Sequence, residues 1–118
     1  MKQLLVVDDE AAVIHVTKRM LEMKGFAVTG ATTAAEALRL FAGQTWDLVI
    51  VDRAMPVMDG EELADQIRQR APQIPILLIT GFPESVRHPE RVAAVVTKPF
   101  ASAELLTQIG RLLGKTAL

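Results

Sequence analysis

Five short runs of apolar residues recur along the chain, each ending against polar or charged residues. Leu4 to Val7 stops at Asp8, Asp9 and Glu10, and Phe26 to Ala31 stops at two threonines. Asp47 to Val51 delivers Asp52, Ile76 to Thr80 ends on its own hydroxyl, and Val92 to Thr97 leads into Lys98 and Pro99. Runs of this length, rich in Val, Ile and Leu, predict buried strands. The stretches between them carry a longer period. In Ala11 to Lys24, the residues Val13, Ile14, Thr17, Met20 and Leu21 share one helical face, and Gly25 stops the pattern. Thr33 and Glu36 have capping-box spacing and open a helix that buries Ala37, Leu38 and Phe41. A helix from Glu61 to Arg70 buries Leu63 and Ile67, with Pro72 and Pro75 in the turn after it. Pro83 and Pro89 leave room only for a brief helix over Glu84 to Arg87. Ser102 caps a last helix whose buried face is Leu105, Leu106, Ile109, Leu112 and Leu113.

Continuous apolar strands alternating with helices are buried on both faces, which predicts a parallel sheet with helices on each side. No linker, repeat or low-complexity segment divides residues 1–118, so one domain without an output domain is expected. Hydrophobic residues make up 50% of the chain and aromatics only 4%, so Val, Ile, Leu and Ala must build the core. A net charge of −1 gives no general pull toward nucleic acid or anionic lipid. The absence of cysteine excludes disulfides, thiol catalysis and thiolate metal sites. The first apolar run is too short for a signal peptide, and no run reaches membrane-spanning length. These features predict a soluble cytoplasmic domain.

In a parallel sheet the C-terminal strand ends share one edge, where open α/β sheets bind their ligands. That edge collects Asp8 and Asp9 from the first strand, Asp52 from the third, Thr80 from the fourth and Lys98 from the fifth. If the first and third strands are neighbours, the carboxylates repel, and either one takes up a proton or a cation sits among them. An all-oxygen set favours Mg²⁺ over Zn²⁺. With Lys98 and Thr80 opposite, the edge suits a small oxyanion such as phosphate, and Asp52 could be a nucleophile forming an aspartyl phosphate. Each residue also has an ordinary role. Asp8 or Asp9 could cap the first helix, Lys98 could be a solvated charge, and Thr80 could serve strand propensity. Asp59 before Gly60 reads as a turn residue, and His15 and His88 read as surface residues. Five rim groups arriving together favour chemistry.

LLVVDDE, DRAMPVMDG, LLITG and TKPF, in this order across essentially the whole chain, resemble the receiver domain of bacterial two-component response regulators. The resemblance implies a flavodoxin-like, doubly wound five-stranded sheet in the order 2-1-3-4-5, which puts the first strand beside the third. It implies that Asp52 accepts a phosphoryl group from a histidine kinase or histidine phosphotransfer protein. Asp9, Asp52 and the Ala54 carbonyl would hold Mg²⁺, with Asp8 assisting through water. Lys98 would pair with the phosphoryl oxygens, Thr80 would hydrogen-bond one, and the Lys98–Pro99 bond would be cis. The kinase or phosphotransfer protein would dock on the first helix, where Ala12, Val16 and Met23 lie off the core stripe, and on the Phe100–Ala101 loop. No direct nucleic-acid or membrane contact is implied. The protein would be a signalling phosphoacceptor, catalysing only its own phosphorylation and dephosphorylation.

Two departures from the family concern output more than chemistry. Val95 stands where the family carries a switch aromatic, and the Thr80–Lys98 segment is short and proline-bearing, so the helix there is expected to be stunted. Phosphorylation is accordingly expected to move that face less than usual, or differently. Other functions on similar sheets fit less well. An aspartyl-phosphate phosphatase wants two aspartates one residue apart and a cap domain, and a flavin protein wants a non-acidic Ser/Thr-rich first loop where this chain has DDEAA. A purely structural pseudo-receiver would not need the intact acid set. Ala54 and Phe82, two residues past Asp52 and Thr80, flank the phosphoryl position in the family, and neither side chain can orient water. A long-lived phosphoryl state is expected, and a lifetime of seconds at neutral pH would contradict it.

Overall fold

The computed structural model describes the backbone of residues 1–117 and the side chains of residues 1–114. Its elements run β1 (Gln3–Val7), α1 (Ala11–Glu22), β2 (Ala27–Ala31), α2 (Ala34–Ala42), β3 (Leu48–Asp52), α3 (Gly60–Arg70), β4 (Ile76–Thr80), β5 (Ala94–Thr97) and α4 (Ser102–Ala117). All five strands are parallel, in the order β2-β1-β3-β4-β5. The sheet is the flavodoxin-like one that the resemblance implied.

Strand alternation sorts the core into two layers. Leu4, Val6, Leu48, Ile50, Leu77 and Ile79 face one side, where Ile14 and Leu21 of α1 and Leu105 and Ile109 of α4 cover them. Their neighbours Leu5, Val7, Val49, Val51, Ile76 and Leu78 face the other, under Ala37 and Phe41 of α2 and Leu63 and Ile67 of α3. Every residue of β3 and β4 is buried, as strands covered by helices on both faces require.

The predicted elements are all present except one, and several boundaries move. The helix α1 ends at Glu22, two residues before the predicted stop, because Lys24 and Gly25 turn back onto Leu21 and Glu22. Val13, assigned to its buried face, is exposed, since the buried positions Ile14 and Leu21 define a narrower stripe. Thr33 caps α2 by accepting from the Glu36 N–H, whereas the Glu36 carboxylate accepts from Thr32, one residue earlier than the standard box. Ser102 is not a cap. It is the first residue of α4, and the Ala101 carbonyl accepts from Glu104 and Leu105.

The exception lies between β4 and β5. No helix forms over Glu84–Arg87; two 3₁₀ turns, Pro83–Ser85 and Pro89–Arg91, take its place. Each turn starts on a proline, and the chain between them is extended at Val86. Proline fits the first position of a helical turn but cannot continue one, so two prolines six residues apart restart the chain before a full α-turn can propagate.

The loop from β3 to α3 is tightly closed: the Gly60 N–H donates to the Arg53 carbonyl at 2.8 Å. A methyl group on Gly60 would run into the backbone of Asp52 and Arg53, so glycine is required by close approach. Val57 in the same loop has φ +71° and is fully exposed. A β-branched residue in the left-handed region is costly, and here no burial repays it. Val57→Asn should raise stability by about 0.5–1 kcal/mol, measured by chemical denaturation; unchanged or lower stability would show that the loop does not strain Val57.

Candidate functional site

Because β1, β3, β4 and β5 point the same way, Asp8, Asp52, Thr80 and Lys98 meet at one edge. Asp8, Asp52 and Thr80 are all buried, at 5%, 4% and 4% exposure, a depth that carboxylates rarely reach. The Lys98 ammonium lies 3.2 Å from Asp52 Oδ1. Its approach is out of line for a hydrogen bond, and Asp52 Oδ1 is the one buried side-chain oxygen or nitrogen among the described residues with no hydrogen-bond partner. The Thr80 hydroxyl accepts from the Phe82 N–H at 3.0 Å, which leaves its own O–H available to donate. The Lys98 N–H donates to the Thr80 carbonyl at 2.8 Å, and the Lys98–Pro99 bond is cis.

Asp8 does not cap α1. Its Oδ1 accepts from the Glu10 N–H at 2.9 Å, outside the helix, and the N-cap residue Glu10 makes no side-chain cap bond. Burial, assisted by the charges of Asp52 and Asp9, pushes the Asp8 carboxyl up from 3.8 to about 6, against the opposing pull of the Glu10 N–H and Lys98. The carboxylates of Asp8, Asp9 and Glu10 come within 4.8 Å of one another, Asp8 buried and the other two exposed. Glu10 is an acid the sequence reading left out of the cluster, although its place next to Asp9 was the signal. The carboxylates of Asp8, Asp9 and Glu10 and the orphaned buried oxygen of Asp52 fit a hard divalent cation.

Residues 4–110 match the family model for the response regulator receiver domain. This chain belongs to that family. It is a receiver domain, the phosphoacceptor module of two-component signalling, and not an enzyme acting on other substrates. The response regulator MprA of Mycobacterium sp. (strain KMS) is 38% identical over 122 residues, covering 98% of this chain and 52% of that protein. The chain thus spans about half the length of the curated relatives it matches. The response regulator TrrA of Thermotoga maritima, solved in complex with Mg²⁺-BeF, superposes with a TM-score of 0.89 at 34% identity, covering 96% of this chain and 100% of that one. TrrA has also been solved in complex with the histidine kinase ThkA, again with a TM-score of 0.89 at 34% identity, over 96% of this chain and 99% of that one. No helix among the described residues of this receiver is long and apolar enough to cross a membrane.

A second set of charged residues was not foreseen. Asp59, read as a turn residue, caps α3 by accepting from the Glu62 N–H at 3.0 Å and pairs with Arg87 at 2.6 Å. Glu61, read only as the start of a helix, is buried and accepts from the N–H groups of Arg87 and His88 and from Arg53 Nε. Burial alone would raise both carboxyls, but these donors outweigh it and hold both below the usual range.

Asp8 has the opposite linkage. A raised folded-state pKa means the folded chain holds this proton more tightly than the unfolded chain, so Asp8 stabilises below about pH 4 and loses that contribution as pH rises to about 6. Asp8→Asn should flatten the decline in stability over that window and raise divalent-free stability at neutral pH by about 1–2 kcal/mol, allowing for solvent screening at an open rim. Thermal unfolding across pH checks this; a mutant whose stability tracks the parent at every pH would refute it.

Proposed function

We propose that Asp52 is the phosphoacceptor of this receiver and that the rim residues around it perform the transfer. The observation that carries this reading is the buried, unbonded Asp52 Oδ1 beside the Lys98 ammonium. A buried carboxylate oxygen that accepts no hydrogen bond is a poorly solvated nucleophile. In the transfer, an Asp52 carboxylate oxygen bonds to phosphorus while the phosphorus–donor bond breaks, and the donor keeps that electron pair. Lys98 offsets charge on the phosphoryl oxygens, and the Thr80 O–H donates to one of them. Asp8, Asp9, Asp52 and the Ala54 carbonyl would hold Mg²⁺, which when bound supplies positive charge against the transferring group. TrrA in complex with Mg²⁺-BeF supports this for a similar chain.

The donor in this reading is a cytoplasmic histidine kinase or histidine phosphotransfer protein, as the ThkA complex of TrrA suggests. Its docking surface would be α1 together with Phe100 and Ala101. Val13 and Val16 on α1 are exposed, and Phe100 is half-buried against the core layer that α1 covers. Residues 1–118 would act as a single receiver unit, whose phosphorylated state changes partner binding.

Intact mass after incubation with acetyl phosphate, with and without Mg²⁺, tests the reading beside Asp52→Asn. One Mg²⁺-dependent phosphoryl adduct that vanishes in the mutant is the expected result. No adduct, together with no binding of Mg²⁺ or beryllofluoride, would make this a structural pseudo-receiver.

A further inference from the structure

The segment from Gly81 to Ala93 contains no buried residue. Val86 and Val92 are its only half-buried apolar side chains, resting on the α2/α3 side of the core. Hydrophobic packing therefore does little to hold it, and a polar network does the rest. Glu61, at the first turn of α3 with its side chain only 6% exposed, points both carboxylate oxygens at the segment. They accept from the backbone N–H of Arg87 at 3.0 Å and of His88 at 2.9 Å.

Arg53, the residue after Asp52, closes the network from the sheet side. Its Nε donates to Glu61 at 3.1 Å, and its two terminal nitrogens donate to Ser85 Oγ at 2.7 Å and to the Ser85 carbonyl at 2.9 Å. The Arg53 backbone is itself bonded on both sides, its N–H to Ile79 and its carbonyl to Gly60. The segment is thus fastened at Ser85, Arg87 and His88 to the start of α3 and to the end of β3. Phe82 bridges rim and clamp: its N–H donates to the Thr80 hydroxyl at 3.0 Å, and its carbonyl accepts from the Ser85 Oγ at 2.8 Å and the Ser85 N–H at 3.0 Å.

We propose that Glu61, acting in part through Arg53, is a positioning residue that clamps Ser85–Val92 in place of a helix, so that filling the acceptor site displaces Gly81 and the Phe82 amide while the Phe82 carbonyl stays bonded to Ser85 and the clamped stretch stays fixed. The reason is geometric. A buried carboxylate that loses the segment loses two charge-assisted hydrogen bonds from backbone N–H groups and is left under-paired at a site screened from water. Gly81 carries no such bond and is exposed, so it absorbs the adjustment at Thr80. The effect on Gly81 and Phe82 rests on Asp52 being the acceptor; the clamp itself does not.

Two measurements on the full chain separate these parts. Amide hydrogen exchange without any ligand reads the clamp. Glu61→Gln leaves one acceptor oxygen for donors that now meet two, and Arg87 and His88 should exchange roughly 10-fold faster or more. Glu90→Gln, which alters only exposed pairs with His88 and Arg91, should change neither. Arg53→Met and Ser85→Ala, which leave the Glu61 carboxylate in place, provide the same readout if Glu61→Gln unfolds. Unchanged exchange at Arg87 and His88 in all three variants overturns the clamp.

Amide chemical shifts with Mg²⁺ and beryllofluoride read the confinement. In the parent chain, Thr80, Gly81 and Phe82 should move while Arg87, His88 and Val92 stay, and in Arg53→Met the response should spread to those three. A merely structural bond would not change where the response stops. A parent response as large at Arg87 and His88 as at Phe82 overturns the confinement. No shift at any residue, Asp9 and Asp52 included, fails the acceptor reading instead and takes the confinement with it, leaving exchange to decide the clamp.

Discussion

β1 and β3 are parallel hydrogen-bonded neighbours, with Val7 opposite Val51, and the residues that follow are Asp8 and Asp52. Two buried carboxyls are therefore held in each other's field by the pairing that builds the centre of the sheet. Neither can move away without breaking a ladder whose residues are buried on both faces. The chain tolerates this because the two core layers lie below the rim, and because the Lys98 ammonium and the Glu10 N–H each offset part of the charge. The compensation is incomplete: Asp8 holds its proton more tightly than a free carboxyl, and one oxygen of Asp52 has no hydrogen bond. A rim built in this way favours a cation and an oxyanion, the pair that phosphoryl transfer brings together.

Glu61 shows how the same kind of group behaves when its partners are complete. It too is buried, though slightly less than the rim acids, and two backbone N–H groups and the guanidiniums of Arg53 and Arg87 meet it, so its carboxyl is held below the usual range while Asp8 is raised. At Glu61 the donors outweigh the cost of burial, and at Asp8, which is buried more deeply and has fewer donors, they do not. The molecule thus has a satisfied carboxylate that fixes a segment and, a few residues away in sequence, an unsatisfied one available for chemistry. Arg53 joins them, since its backbone continues β3 from Asp52 and its side chain reaches Glu61 and Ser85.

The strands and most helices were legible from apolar period alone, because a parallel sheet covered on both faces leaves long apolar runs that few other structures require. Boundaries were less legible. At the end of α1 and the start of α4, backbone bonds from Lys24, Gly25, Glu104 and Leu105 decided the matter, and these depend on how the chain leaves the helix. The Pro-flanked segment after β4 was read as a brief helix over Glu84–Arg87, and the two 3₁₀ turns that replace it were not foreseen. Asp59 and Glu61 went unassigned for a related reason. Their partner Arg87 is 28 and 26 residues away, and nothing in local spacing marks such a pair.

By itself the sequence determined which residues could form strands, which helical faces were apolar, and that acids, a threonine and a lysine stand at strand ends. Those are properties of short windows, governed by side-chain period and by turn residues. Tertiary structure alone decided how deeply Asp8, Asp52 and Thr80 are buried, that Lys98 approaches Asp52 without bonding it, and that Glu61 holds the segment after β4. Burial and hydrogen-bond satisfaction are set by groups distant in the chain that the sheet order brings together, so no local pattern can carry them.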